Sequence, residues 1–244
     1  MRVLVTGAAG AIGKPVCEAL AQRGHTIRRF DRVPSGADEV IGDIADGALV
    51  FEACRDVDAV VHLAAMPDDA PFLKLVPPNV IGIFNVLDAA RQRGVKRVVL
   101  ASSVQVCWSH GPHEPRSGAQ AEPHNHYALT KLWAEEMGAM YARIYPLSVI
   151  AARIGWMVRD LREALEIRRK AMTRNYISRG DVAHFMTCAI EATNAGFQAL
   201  YAVGPEGQGS YDLETPRKLI GFAPQDYFPA GLPFTLPEGD PALG

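Results

Sequence analysis

The chain has 244 residues, 48% hydrophobic and 21% charged, and its 25 Lys+Arg against 27 Asp+Glu leave a formal net charge of −2. A composition this near the globular average excludes a disordered, collagenous or coiled-coil chain, and the near-neutral balance excludes a nucleic-acid partner held by bulk electrostatics. The cysteines Cys17, Cys54, Cys107 and Cys188 are far apart and form no Cys-x-x-Cys pair, which points to a reducing cytoplasm rather than a disulfide framework.

No apolar run reaches the ~18 to 20 residues of a transmembrane helix, so no membrane partner is expected. Met1-Arg2 passes directly into an apolar strand, which leaves no room for a signal peptide. In chain order, short β-branched runs predict strands at Arg2–Val5, Thr26–Phe30, Glu39–Ile41, Ala59–Leu63, Arg97–Ala101, Leu147–Ala152 and Gln198–Ala202. Longer amphipathic stretches predict helices at Ile12–Arg23, Val80–Arg93, His126–Tyr145 and Asp181–Glu191, the last with Asp181 as its N-cap. Gly24 and Gly94 are the expected stops of the first two. The alternation predicts an α/β chain with a Rossmann-type, doubly wound parallel sheet. Residues 155–179, rich in arginine, and the proline-rich residues 205–244 break the pattern. They are expected to form a small substrate lobe on one NAD(P)-binding domain that spans residues 1–244.

Gly7-Ala8-Ala9-Gly10-Ala11-Ile12-Gly13 follows the first strand and opens the first helix. Such a turn can seat a diphosphate, because glycines allow close backbone approach and a helix N-terminus offers free amides and a positive dipole end. Asp31 ends the second strand, 21 residues after Gly10, where a carboxylate can take the adenosine ribose hydroxyls. It favours NAD over NADP; Arg32, with Arg28 and Arg29 upstream, leaves NADP open. Further on, Tyr127 and Lys131 are four residues apart in a helical stretch and share one face. A lysine cation favours a phenolate over a phenol whose ordinary pKa is about 10. The Ser102-Ser103 pair upstream can place a hydroxyl on the same substrate oxygen.

With these residues in hand, the sequence resembles the extended short-chain dehydrogenase/reductase superfamily, the group of NAD-dependent epimerases, dehydratases and sugar dehydrogenases. The likeness runs through Gly42-Asp43-Ile44, His62-Leu63-Ala64-Ala65, Asn79 to Ala90, Ala101-Ser102-Ser103, Tyr127 to Lys131, Arg153 and Asp181-Val182-Ala183. The resemblance implies Ser103 as catalytic serine, Tyr127 as acid/base and Lys131 as its activator. It implies Asp43 and Ile44 beside the adenine, and Leu63, Ala64 and Ala65 along the pyrophosphate and ribose. Asn79 would support the lysine through a water, while Ala101, Ser102 and Ile154 would face the cofactor.

Departures narrow the function. The serine turn reads Ser103-Val104-Gln105, without the acid pair that dehydratases use, so elimination loses its proton carriers. Little chain lies outside the repeating units, which implies a small substrate. Among short members the hexuronate dehydrogenases are most similar, but Trp156 replaces their pocket serine. Their carboxylate-binding arginine has several candidate counterparts, namely Arg162, Arg168, Arg169 and Arg174. The leading expectation is therefore an NAD-dependent oxidoreductase of a small sugar or uronic acid. Sugar epimerisation and an NAD(P) redox sensor without turnover are the alternatives. Relatives often pair through the two helices beside the site, so a homodimer is expected, with Ile83, Leu87, Leu132 and Met140 as candidate contacts. His110, His113, His124 and His126 lie within 17 residues but lack acidic or cysteine ligands at helical spacing, so a polar loop rather than a metal site is expected.

Overall fold

The computed structural model describes residues 1–108, 121–193 and 196–237. Seven strands form one parallel sheet: β1 Arg2–Thr6, β2 Thr26–Asp31, β3 Glu39–Ile41, β4 Ala59–His62, β5 Arg97–Ser103, β6 Ser148–Ile154 and β7 Phe197–Ala202. Their order across the sheet is β3-β2-β1-β4-β5-β6-β7. The winding direction reverses between β1 and β4, and the carboxyl ends of these strands flank the crevice where ligands of such sheets bind.

Val3 to Val5, Ala59 to Val61 and Val98 to Leu100 are fully buried, because helices cover both faces. Helix α1 (Gly13–Gln22) lies on one face with Val16, Cys17 and Leu20 inward. The other face takes α2 (Gly47–Ala53), which the alternating pattern did not reveal and which Asp46 caps by accepting from the Leu49 amide. Next along the chain, α3 (Phe72–Leu75) leads through a wide π-helical segment, Val76–Ile81, into α4 (Gly82–Arg93). Pro77 and Pro78 supply no amide hydrogen to this segment. The expected helix from Val80 thus has a longer lead-in. The run Phe72–Arg93 is long and apolar enough to cross a bilayer. Here Leu75, Ile83, Val86, Leu87 and Ala90 are buried in the fold, as in the core helix of an α/β layer.

Helix α5 (His126–Ile144) covers β5 and β6, and its Asn125 cap accepts from the Ala128 amide. Residues 155–179, which gave no regular pattern, contain α6 (Leu161–Arg169), capped by Asp160. Helix α7 (Arg179–Glu191) begins two residues earlier than expected. Its N-cap is Ser178, not Asp181; the Ser178 oxygen accepts from the Asp181 amide, and the Asp181 carboxylate accepts from the amides of Gln225 and Asp226. A final short helix, α8 (Glu214–Ile220), is followed by Phe222, which joins α1 and α7 on the sheet. Val158, Ala164, Ile167 and Met172 pack with Trp108, Tyr176, Tyr201 and Tyr211 into a third core at the carboxyl edge.

Candidate active site

Gly7 has a φ of 72°, and a Cβ there would lie 2.8 Å from the Ala64 nitrogen, while one on Gly13 would lie 2.1 Å from the Gly7 oxygen. Both positions need glycine for the turn to close against β4. At Gly10 the only neighbour of an added Cβ is the Gly7 oxygen at 3.1 Å, so its outer side is open. The amides of Ala11 and Ile12 make no hydrogen bond among the described residues, and no side chain caps α1. Open glycine and free amides at a helix N-terminus fit a dinucleotide diphosphate.

Asp31 reaches the same turn. Its carboxylate accepts from the amides of Ala9 (2.9 Å) and Arg32 (2.7 Å). Asp43 and Ile44 follow β3 close by, with the Gly42 amide bonded to the Asp31 carbonyl. The Asp43 carboxylate accepts from Ala45, and Ile44 is buried against Gly82. Arg28 is held by Asp38 and two carbonyls, and Arg29 by the Ala37 carbonyl. Thr6 joins β1 to β4: its hydroxyl accepts from the Leu63 and Ala64 amides and lies 2.8 Å from His62 Nδ1. Burial pushes the His62 imidazole down to about 3, so the ring is neutral.

From this seat a cleft of about 590 Å³ runs to the third core. Ile12, Leu63, Ala65, Ala101, Ser102, Ser103, Tyr127, Lys131 and Ile154 line it, so nine of the expected site residues meet there. Gly7, Ala9, Gly10, Ala11, Gly13, Asp31, Arg32, Asp43, Ile44, Ala64 and Asn79 do not line it. Ser103 and Tyr127 face the same cleft, and the Ser103 hydroxyl is close enough to favour the phenolate form of Tyr127. The Ser103 oxygen accepts from the Gln105 amide at 3.2 Å, which leaves its hydroxyl proton free to donate. Lys131 donates to the Ala101 carbonyl at 2.9 Å, with its ammonium 5.5 Å from the Tyr127 ring centre.

Two expectations change here. The lysine was expected to lower the tyrosine pKa, yet burial dominates and pushes the phenol up to about 12, while the nearby Ser103 hydroxyl pulls the other way. Burial also lowers Lys131 to about 8. Ser102 was expected to face the cofactor; it lines the cleft, and its hydroxyl is committed to Glu135 at 2.5 Å. Strand alternation explains this, since Val98 and Leu100 of β5 also belong to the face covered by α4 and α5. The Asn79 amide accepts from the Met66 amide and donates to the Met66 carbonyl and Thr130 oxygen. It thus ties the β4 loop to α5 beside Lys131.

Several cleft residues escaped the sequence reading. Arg159 pairs with Glu163 and, at 2.7 Å, with Asp68, bridging α6 to the β4 loop. Asp160 and Glu163, an acid cap followed three residues later by glutamate, were the legible signal for that helix start. Of the four candidate arginines only Arg162 lines the cleft. His124 lines it as well and stacks on Trp108, His126 opens α5, and His110 and His113 lie outside the described residues.

A sequence profile of the NAD dependent epimerase/dehydratase family matches residues 3–204. The chain is similar to a uronate dehydrogenase of Pseudomonas syringae pv. tomato, 30% identical and covering 92% of this chain and 82% of the relative. It is similar as well to an L-arabinose 1-dehydrogenase (NAD(P)(+)) of Haloferax volcanii, 30% identical and covering 92% and 96%. A solved uronate dehydrogenase of Agrobacterium tumefaciens complexed with NAD superposes with a TM-score of 0.79 at 26% identity, over 92% of this chain and 84% of that one. Profile, fold and open diphosphate seat agree: the chain belongs to the NAD-dependent epimerase/dehydratase family and is an NAD-dependent oxidoreductase.

Proposed function

We propose that the chain transfers hydride between the nicotinamide and a monosaccharide-sized substrate, an aldose or a uronic acid, with Tyr127 as acid/base. The observation that carries this reading is that Ser103, Tyr127 and Lys131 line one cleft together with Ile12, at the end of the glycine turn. NAD, when bound in the seat of Gly7, Gly10, Gly13 and Asp31, supplies the hydride acceptor. In oxidation the phenolate form of Tyr127, favoured by the Lys131 ammonium and the Ser103 hydroxyl, takes the hydroxyl proton as the carbon–hydrogen bond breaks, and a carbonyl forms. Ser103 Oγ donates to the substrate oxygen and holds it, and Lys131 keeps a positive charge beside the phenol. For a uronic acid, Arg162 is the cation to meet the carboxylate. Arg159 and Lys170 are already paired with carboxylates, whereas Arg162 makes no hydrogen bond among the described residues.

The same reading makes the chain a homodimer in a reducing cytoplasm. Four free cysteines suit that compartment. Phe84 of α4 and Leu129, Trp133 and Met140 of α5 are exposed apolar residues on the two helices that flank the site. Ile83 and Leu87, expected at the interface, are instead buried on the sheet, and Leu132 packs toward the third core.

A panel of aldoses, uronic acids and polyols, each with NAD or NADP, tests the proposal through the absorbance of the reduced nicotinamide. Turnover of at least one aldose or uronic acid with NAD is the expected outcome. Absence of turnover across the panel would sink the substrate class.

A further inference from the structure

Three turns of α5 meet three consecutive residues of β5. Tyr127, Lys131 and Glu135 recur at intervals of four and so occupy one face of the helix. Tyr127 stands by Ser103 in the cleft, Lys131 donates to the Ala101 carbonyl and Glu135 accepts from the Ser102 hydroxyl. The third contact has the heaviest anchorage. Glu135 is 4% exposed, and Arg153 grips it with both arms, Nε to Oε1 at 3.0 Å and Nη2 to Oε2 at 2.8 Å. Arg153 is the ladder partner of Ser102 on β6, so the carboxylate bridges two strands and a helix. On its far side the guanidinium lies 5.4 Å from the centre of the Tyr201 ring on β7.

A buried ion pair is an expensive way to hold a helix on a sheet. Desolvation cancels much of its attraction, and apolar side chains of similar volume often serve stability as well or better. What two apolar side chains cannot do is fix a height: a bidentate fork admits one geometry, whereas a methylene contact tolerates sliding. Sliding here would move Tyr127 relative to Ser103, which sits one residue past Ser102 on the same strand.

We propose that Glu135 and Arg153 are positioning residues, a buried fork that sets the height of α5 on β5 and thereby fixes where the phenol of Tyr127 stands relative to the hydroxyl of Ser103 in the cleft. The inference rests on the reading of Tyr127 as acid/base. Neither residue lines the cleft, so neither touches substrate in this arrangement.

The decisive variant is the double substitution Glu135→Met/Arg153→Met, which removes both charges without leaving one unpaired. It is assayed on D-glucuronate and L-arabinose with NAD. A positioning role predicts a folded protein with parental affinity for NAD, a kcat at least about tenfold lower and a KM changed less than about twofold, because the loss falls on the reacting geometry. A folded double variant with parental kcat would overturn the proposal, since a pair that only stabilises the fold is replaceable by apolar residues. A crystal structure of the double variant decides the geometry without any substrate. A Tyr127 oxygen displaced relative to the Ser103 oxygen supports the proposal, and oxygens in the parental position overturn it. If the unsubstituted protein turns over neither sugar, that result counts against those substrates alone, and the structure of the variant still decides. If the double variant does not fold, Ser102→Ala takes its place in the same measurements, with lowered kcat or a displaced Tyr127 oxygen in support and parental values against.

Discussion

Tyr127 and Lys131 pull against their own burial. A phenol held near pKa 12 and an amine held near 8 are both pushed toward their neutral forms by the same loss of water. Tyr127→Phe keeps the ring's packing and removes the transferable proton. Turnover should fall by ~10² or more while NAD binding, measured by calorimetry, is retained, and wild-type turnover would remove Tyr127 from its role. Asp31 makes the second residue-level prediction. Its carboxylate is fixed by backbone amides at the turn, and Arg28 and Arg29 are occupied, which leaves only Arg32 to greet a 2′-phosphate. NAD should therefore bind at least about tenfold more tightly than NADP, or ~1.4 kcal/mol, and Asp31→Asn should narrow that gap. Equal affinities in the unsubstituted protein would dismiss this role.

Among the elements, α4 and α5 each have two occupations. Ile83, Val86 and Leu87 of α4, and Ala134, Met137 and Tyr141 of α5, pack on the sheet. Phe84, Leu129 and Trp133 are left outside, 46% to 48% exposed. An apolar set of that size on two neighbouring helices is unusual for a surface facing water alone. Trp133→Asp places a charge in the middle of the set without touching the inner face. Light scattering at micromolar concentration should report a dimer for the parent and a monomer for this variant, with Tm nearly unchanged. A monomeric parent would end the assignment of this face.

On the scale of the whole molecule, the seam between β1 and β4 is where pH acts on stability. His62 is buried against Thr6, with a folded pKa of about 3 against about 6.5 for a free imidazole. Between those values the unfolded chain binds a proton that the folded chain does not, so stability rises with pH and is lost as pH falls below about 6.5. Going from pH 7 to 5 should cost about 2 kcal/mol of unfolding free energy through this residue. His62→Asn keeps an acceptor for Thr6 and has no proton to gain. Urea unfolding at the two pH values should show a smaller acid loss in the variant, and equal losses would show that His62 binds its proton alike in the folded and unfolded states.

What the amino-acid sequence determined by itself was whatever depends on neighbours along the chain. Gly7, Gly10 and Gly13 sit between a strand and a helix, and that order along the chain marks a diphosphate seat, because glycine freedom and a helix N-terminus are local properties. The four-residue interval from Tyr127 to Lys131 places both on one helix face for the same reason. The run of apolar strands and amphipathic helices was enough for a parallel sheet. The tertiary structure alone decided which charges are buried and with whom. Glu135 meets Arg153 across 18 residues and Arg159 meets Asp68 across 91, and no pattern along the chain announces such pairs. It also decided that Ser102 turns to α5, since which face of a strand is covered by which helix depends on the whole sheet. Ionisation followed suit: a lysine four residues from a tyrosine promises a lower pKa, but desolvation depends on every atom packed around the pair, and in this fold it is the larger effect.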